Sequence, residues 1–149
     1  MKTRMISMAI VAMFVATLAA ASVRAQNAGD LAVTIPFEFA AAGKTLPAGD
    51  YYVRRSIDGS RVVIQIQSKT DSASVFLMTH SVQSSNIQDN SKLVFNKYGG
   101  QLFLSQLWVA GRSTGEELNK MGRERALQQE IARRSAKPET ISVAVRSNH

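Results

Sequence analysis

KLVFNKYGGQLFLSQLWV, residues 92–109, is the stretch whose reading decides the fold. Two apolar-rich runs stand on either side of Gly99-Gly100. Glycine takes left-handed backbone conformations at no steric cost, and a tight hairpin turn requires them. The two runs therefore fold back on each other as antiparallel strands. A turn at Gly99-Gly100 sets Phe95 opposite Leu104 and Asn96 opposite Phe103. Side chains alternate between faces along a strand, so Leu102, Leu104 and Trp108 share one face. That alternation favours a core position for Trp108 over an exposed one.

Upstream, the same period of two recurs. In LAVTIPFEF, residues 31–39, the residues Leu31, Val33, Ile35, Phe37 and Phe39 alternate with Ala32, Thr34, Pro36 and Glu38. One face is buried and one is wet. Pro36 has no N–H to give to a ladder, which predicts an edge or an irregularity there. The connection AAAGKTLPAGD, residues 40–50, contains a Gly-Lys-Thr triplet. It lacks the upstream glycine of a phosphate loop and does not precede a helix, so it reads as a strand-to-strand crossover. Pro47 and Gly49 form its turn, and Leu46 is free to pack inward.

The crossover delivers DYYVRRSI, residues 50–57, with Tyr51, Val53 and Ile57 on one face and Tyr52, Arg54 and Ser56 on the other. Arg55 falls on the apolar face, which predicts incomplete cover there. Asp58-Gly59 is a hairpin turn, and RVVIQIQS, residues 61–68, returns with Val62, Ile64 and Ile66 in phase. In ASVFLMTH, residues 73–80, apolar residues run continuously from Val75 to Met78, the pattern of a strand covered on both faces. Residues 81–92 are polar and read as a loop.

Downstream of Trp108 the composition turns helical, from about residue 114 to 135. Ser113 and Glu116 have capping-box spacing. Leu118, Met121, Leu127 and Ile131 give a thin apolar stripe, weakened in the middle by Gly122, so the helix should rest lightly on the sheet. Pro138 ends it, and TISVAVRS, residues 140–147, is a closing strand. The expected fold is mainly β: an antiparallel β-sandwich or small β-barrel of about seven strands, with one helix and a closing strand. Lipocalin-like barrels share the helix-then-strand ending, as a fold-level analogy only.

The N-terminus carries an address. Lys2 and Arg4 precede an apolar run from Ala9 to Ala21, and Val23 and Ala25 stand at −3 and −1 of a break before Gln26. This is the pattern of a secretory signal peptide cleaved near Ala25. Arg24 ends the run short of the roughly 20 apolar residues of a membrane span. The expected organisation is a signal peptide over residues 1–25 and one β-rich domain over residues 26–149, exported to a periplasm or the extracellular space and not membrane-spanning when mature. The chain has no cysteine, which excludes disulfides and thiol chemistry. Loss of the three basic residues of the signal takes the net charge from +7 to +4. This mild basic excess suits anionic lipid or polysaccharide, and no motif that reads nucleic acid is present.

Catalytic patterns are sparse. Of two histidines, His149 is the last residue and His80 ends a strand, with no partner for nucleophile or metal chemistry. Glu116-Glu117 fits the first turn of a helix better than a carboxylate dyad. GRSTG, residues 111–115, lacks the lysine and spacing of a phosphate loop. No metal and no cofactor is called for. The residues nominated for ligand contact are Tyr51, Tyr52, Arg54 and Trp108, because aromatics on a β-scaffold are suited to sugar rings and lipids.

The segments VTIPFEF…GKTLPAGDYYV and KLVFNKYGGQLFLSQLWVAGRSTGEEL resemble a group of uncharacterised bacterial exported β-rich proteins. These pair a PF-x-F…LPAG-x-Y opening with an LVF…YG…FLSQ-(I/L)-W segment and a charged helix. The resemblance covers residues 33–125 and implies export and a small β-rich domain, with no activity and no catalytic residues. The function these readings favour is a non-enzymatic envelope domain that binds a ligand or partner: an apolar small molecule or lipid, a glycan on the Tyr52 face, or a protein. The alternative is an assembly protein that pairs through an exposed edge strand, either the Pro36 strand or the C-terminal one. A hydrolase with an unrecognised site, His80 its best candidate, ranks third.

Overall fold

The computed structural model describes residues 30–58, 61–134 and 139–147. The signal segment 1–25, Gly59, Pro138 and His149 lie outside them. The described chain is mainly β, with eleven strand segments where about seven were expected, and one helix. The segments are β1 (Leu31–Ile35), β2 (Phe39–Ala41), β3 (Lys44–Leu46), β4 (Gly49–Asp58), β5 (Arg61–Ser68), β6 (Ser74–Gln83), β7 (Lys92–Tyr98), β8 (Gln101–Trp108), β9 (Thr114–Leu118), β10 (Glu139–Ala144) and β11 (Arg146–Ser147). The helix, α1, spans Gly122–Arg133.

They form one mixed sheet in the order β10-β7-β8-β9-β6-β5-β4-β1-β11. The β2–β3 hairpin lies off this path, with β2 parallel to β8 at Ala40 and Phe103. Its turn uses positive φ at Ala42 and Gly43 (49° and 76°), so the crossover is itself a small hairpin. β1 stops at Ile35, directly before the proline that cannot donate. Only Val145 separates β10, which pairs with β7, from β11, which pairs with β1.

The hairpin of residues 92–109 has the predicted register: Phe95 opposes Leu104, and Asn96 opposes Phe103. Alternation also places the core correctly elsewhere. Val33, Ile35, Phe39, Tyr51, Val53, Ile64, Ile66, Val75 and Leu77 are all buried together, and Leu46 joins them from the crossover. The doubly covered reading of 75–78 is corrected. Phe76 and Met78 are exposed, because their β5 partners, Gln65 and Val63, sit on a face that no other element covers fully. The strands buried on both faces are instead β7 and β8, where Leu93, Val94 and Phe95 are consecutive buried residues.

The helix from 114 is also corrected. Residues Thr114–Leu118 form β9, which pairs with β6 on one side and β8 on the other. Hydrogen bonds along both strand edges outweigh a weak helical propensity that Gly115 lowers further. Ser113 and Glu116 therefore make no capping box, and α1 begins at Gly122 with no side-chain cap from Met121. Its light seat on the sheet is as expected: the one residue it buries is Glu124.

Trp108 is buried, but not on the face of Leu104. The register slips between Val94 and Phe95, leaving Ser105 without a partner across the ladder. This β-bulge shifts the phase of everything after it by one residue. Leu107 takes the core face and Trp108 the opposite one. There its ring lies over Gly115, where an added Cβ would come within 2.7 Å of ring carbons. The indole Nε1 donates to Gln106 Oε1 at 2.9 Å.

Candidate functional site

The described residues form a groove of about 550 Å³ with a mixed polar and apolar lining. Three segments build it: residues 37–43 with Thr45 from the crossover hairpin, residues 100–104 at the start of β8, and the link from Leu118 to Glu124. The sequence dictates this geometry. β9 ends at Leu118 and pairs with β8 only from Gln106 onward, so the earlier part of β8 is left to β2. The space between β2 and the departing link is the groove. Phe37, Phe39, Phe103 and Leu104 supply apolar wall, and Arg123 and Glu124 supply charge.

Glu124 is 6% exposed, the least exposed residue of α1. Asn96 Nδ2 donates to its Oε1 at a long 3.4 Å. Beside it on β7, the Tyr98 hydroxyl is buried and forms no hydrogen bond among the described residues. Burial raises the Tyr98 pKa first, and the neighbouring Glu124 charge raises it further. Burial likewise pushes the Glu124 carboxyl above its ordinary value of 4.5; Asn96, Lys120 and Tyr98 pull it back only in part.

This shift fixes a sign. Below pH 4.5 Glu124 is protonated in both folded and unfolded chains. As pH rises, the unfolded chain releases its proton first, so folding stability falls until the folded carboxyl has ionised too. Glu124→Gln removes that slope. Urea denaturation across this range should show the variant gaining on the parent as pH rises. A difference that stays constant with pH would refute the assignment.

The four nominated ligand residues do not line the groove. Tyr51 is a core residue: its hydroxyl donates to the Pro47 carbonyl at 2.6 Å and its ring meets Phe39 edge-on. Tyr52 is half-buried on the other face, with Lys69 Nζ 4.6 Å from its ring centre. Arg54, two residues on, donates through Nε to both oxygens of Asp30, at 2.9 and 2.8 Å. Tyr52 and Arg54 thus share a face, while Tyr51 and Trp108 stand apart from them. His80 lies within β6, not at its end, and its Nε2 is 3.3 Å from Glu117 Oε2 across the β6–β9 ladder. No group of three acidic or histidine side chains is placed to hold a metal ion among the described residues.

Sequence reasoning does not single out Glu124. A signal was present. Glu124 precedes Leu127 and Ile131 by three and seven residues, on the stripe that faces the sheet. A carboxyl at an apolar helical position marks a buried charge. Compared with protein-family models, curated proteins and solved structures, the chain has no significant match.

Proposed function

We propose that this chain is an exported, non-enzymatic binding domain of the bacterial envelope that holds a small apolar molecule in the groove beside Glu124. The observation that carries the reading is the groove itself. Its volume of about 550 Å³ falls inside the range of roughly 300–1,000 Å³ typical of small-molecule sites, and its lining mixes apolar side chains with polar groups such as Arg123 and Glu124. In this reading the sheet curls into a small barrel, with β10 and β11 acting as one broken strand that serves β7 and β1 at once. Export rests on the N-terminal pattern of residues 1–25 and on the resemblance of residues 33–125.

The other readings find less support. The Tyr52 ring already has a lysine over it, which leaves less free face for a sugar. Of the nominated edge strands, β1 is engaged between β4 and β11, whereas β10 and β11 end the sheet with one neighbour each, β7 and β1. Among the described strands, β3 pairs with β2 alone and is three residues long.

Titrating the mature protein with octanol while following its backbone amide resonances tests the proposal. Shifts should concentrate in residues 37–43, 100–104 and 118–124, and saturating octanol should raise the thermal midpoint. Shifts confined to other surfaces, or none, would sink it.

A further inference from the structure

We propose that the groove selects an amphipathic ligand whose polar end is an alkylammonium group, docked on the Glu124 carboxyl. This rests on the groove reading above and adds the chemical class of the ligand. Glu124 lines the groove yet is 6% exposed, so its charge is largely removed from water. Its hydrogen bonding among the described residues is weak: Asn96 reaches Oε1 at 3.4 Å, and the neighbouring Tyr98 hydroxyl favours the ionised carboxyl but lies outside hydrogen-bond geometry.

No cation of the described chain completes the pair. Lys120, the basic group whose field reaches Glu124, donates its Nζ to Gln128 Oε1 at 3.1 Å instead. Arg123 also lines the groove, but it is exposed and forms no ion pair among the described residues. The other buried acid of the fold shows the contrast: Glu116 has the guanidinium of Arg55 at 2.9 Å. A buried carboxylate without a cation is costly, and the cost falls sharply when a hydrogen-bonding cation arrives. An ammonium group offers three N–H donors and a full positive charge to the weakly bonded carboxylate. Its alkyl chain would lie along Phe37, Leu102 and Met121, the apolar lining residues with exposed surface.

A carboxylate headgroup would meet Glu124 as a like charge, and a hydroxyl would bring a donor without the charge. A metal ion would need further ligands, and the described residues gather no such cluster.

Calorimetric titration of the mature protein at neutral pH with octylammonium, octanol and octanoate distinguishes these cases. Octylammonium should bind at least about tenfold more tightly than either of the others, as a charge-assisted pair replaces a neutral contact or a repulsion. In Glu124→Gln, octylammonium should fall to the affinity of octanol measured in that same variant. Equal binding of all three ligands by the parent protein overturns the headgroup assignment and leaves the groove reading standing. Tighter binding of octanoate does the same and points to Arg123. No binding of any of the three removes the groove reading itself. The comparison within the parent protein decides the question even if the variant is too unstable to study.

Discussion

Arg55→Met is expected to lower the free energy of unfolding by about 3–5 kcal/mol, the usual cost of stripping one partner from a buried ion pair. Arg55 lies on the apolar face of β4 between Val53 and Ile57, as the alternation of residues 50–57 predicts. Its Nε and Nη2 both reach Glu116 Oε1, at 2.9 Å each. The Glu116 side chain is 5% exposed and its Oε2 has no partner among the described residues, so the carboxylate has no second source of relief. The reverse change, Glu116→Leu, should cost less, about 1–3 kcal/mol. The Arg55 side chain is 26% exposed, and its long stem can carry the guanidinium toward water. Combining the two changes should restore most of the loss, because an apolar pair of similar size is often neutral or better. Urea denaturation of the four proteins completes the cycle. If Arg55→Met proves no more harmful than Glu116→Leu, or if the double variant loses the sum of the two, the account fails.

Phe95→Ala is the second large effect, at about 3–5 kcal/mol for a fully buried ring replaced by a methyl group. Phe95 has no exposed surface and meets two rings edge-on, Phe37 at 5.1 Å and Phe39 at 5.4 Å between centroids. Phe39 in turn meets Tyr51 at 5.6 Å. These contacts tie β7 to the crossover segment and, through Phe39, to β4. Phe37→Ala should cost less, since Phe37 is only partly buried. A denaturation midpoint for Phe95→Ala that implies less than about 2 kcal/mol would mean that the surroundings close over the space, and that the aromatic cluster does not anchor β7 to the crossover.

The parts of the fold governed by local rules were readable. A glycine pair and a period of two were enough to set the β7–β8 register and to place Ile35, Ile64 and Ile66 in the core. What escaped depended on neighbours distant in the chain. Nothing near Ser105 announces a bulge, yet that one residue decides which face Trp108 occupies. Thr114–Leu118 is helical by composition and becomes a strand because β6 and β8 leave a place between them. The groove was hidden for the same reason, since its walls come from three segments that meet only in the folded chain. Glu124 is the exception: its charge on the helical stripe is legible in the sequence.

The break at Val145 also bears on how the molecule comes to be made. Segments β10 and β11 satisfy β7 and β1, so two rows of backbone donors and acceptors wait for residues 139–147. Contacts between the first and last segments are the slowest kind to form, and folding rich in them takes on the order of milliseconds to seconds. Until residue 147 has emerged, β1 and β7 each present an unpaired edge able to recruit a strand from another molecule. A chain cut short before Glu139 would therefore be a nucleus for aggregation as well as an incomplete domain.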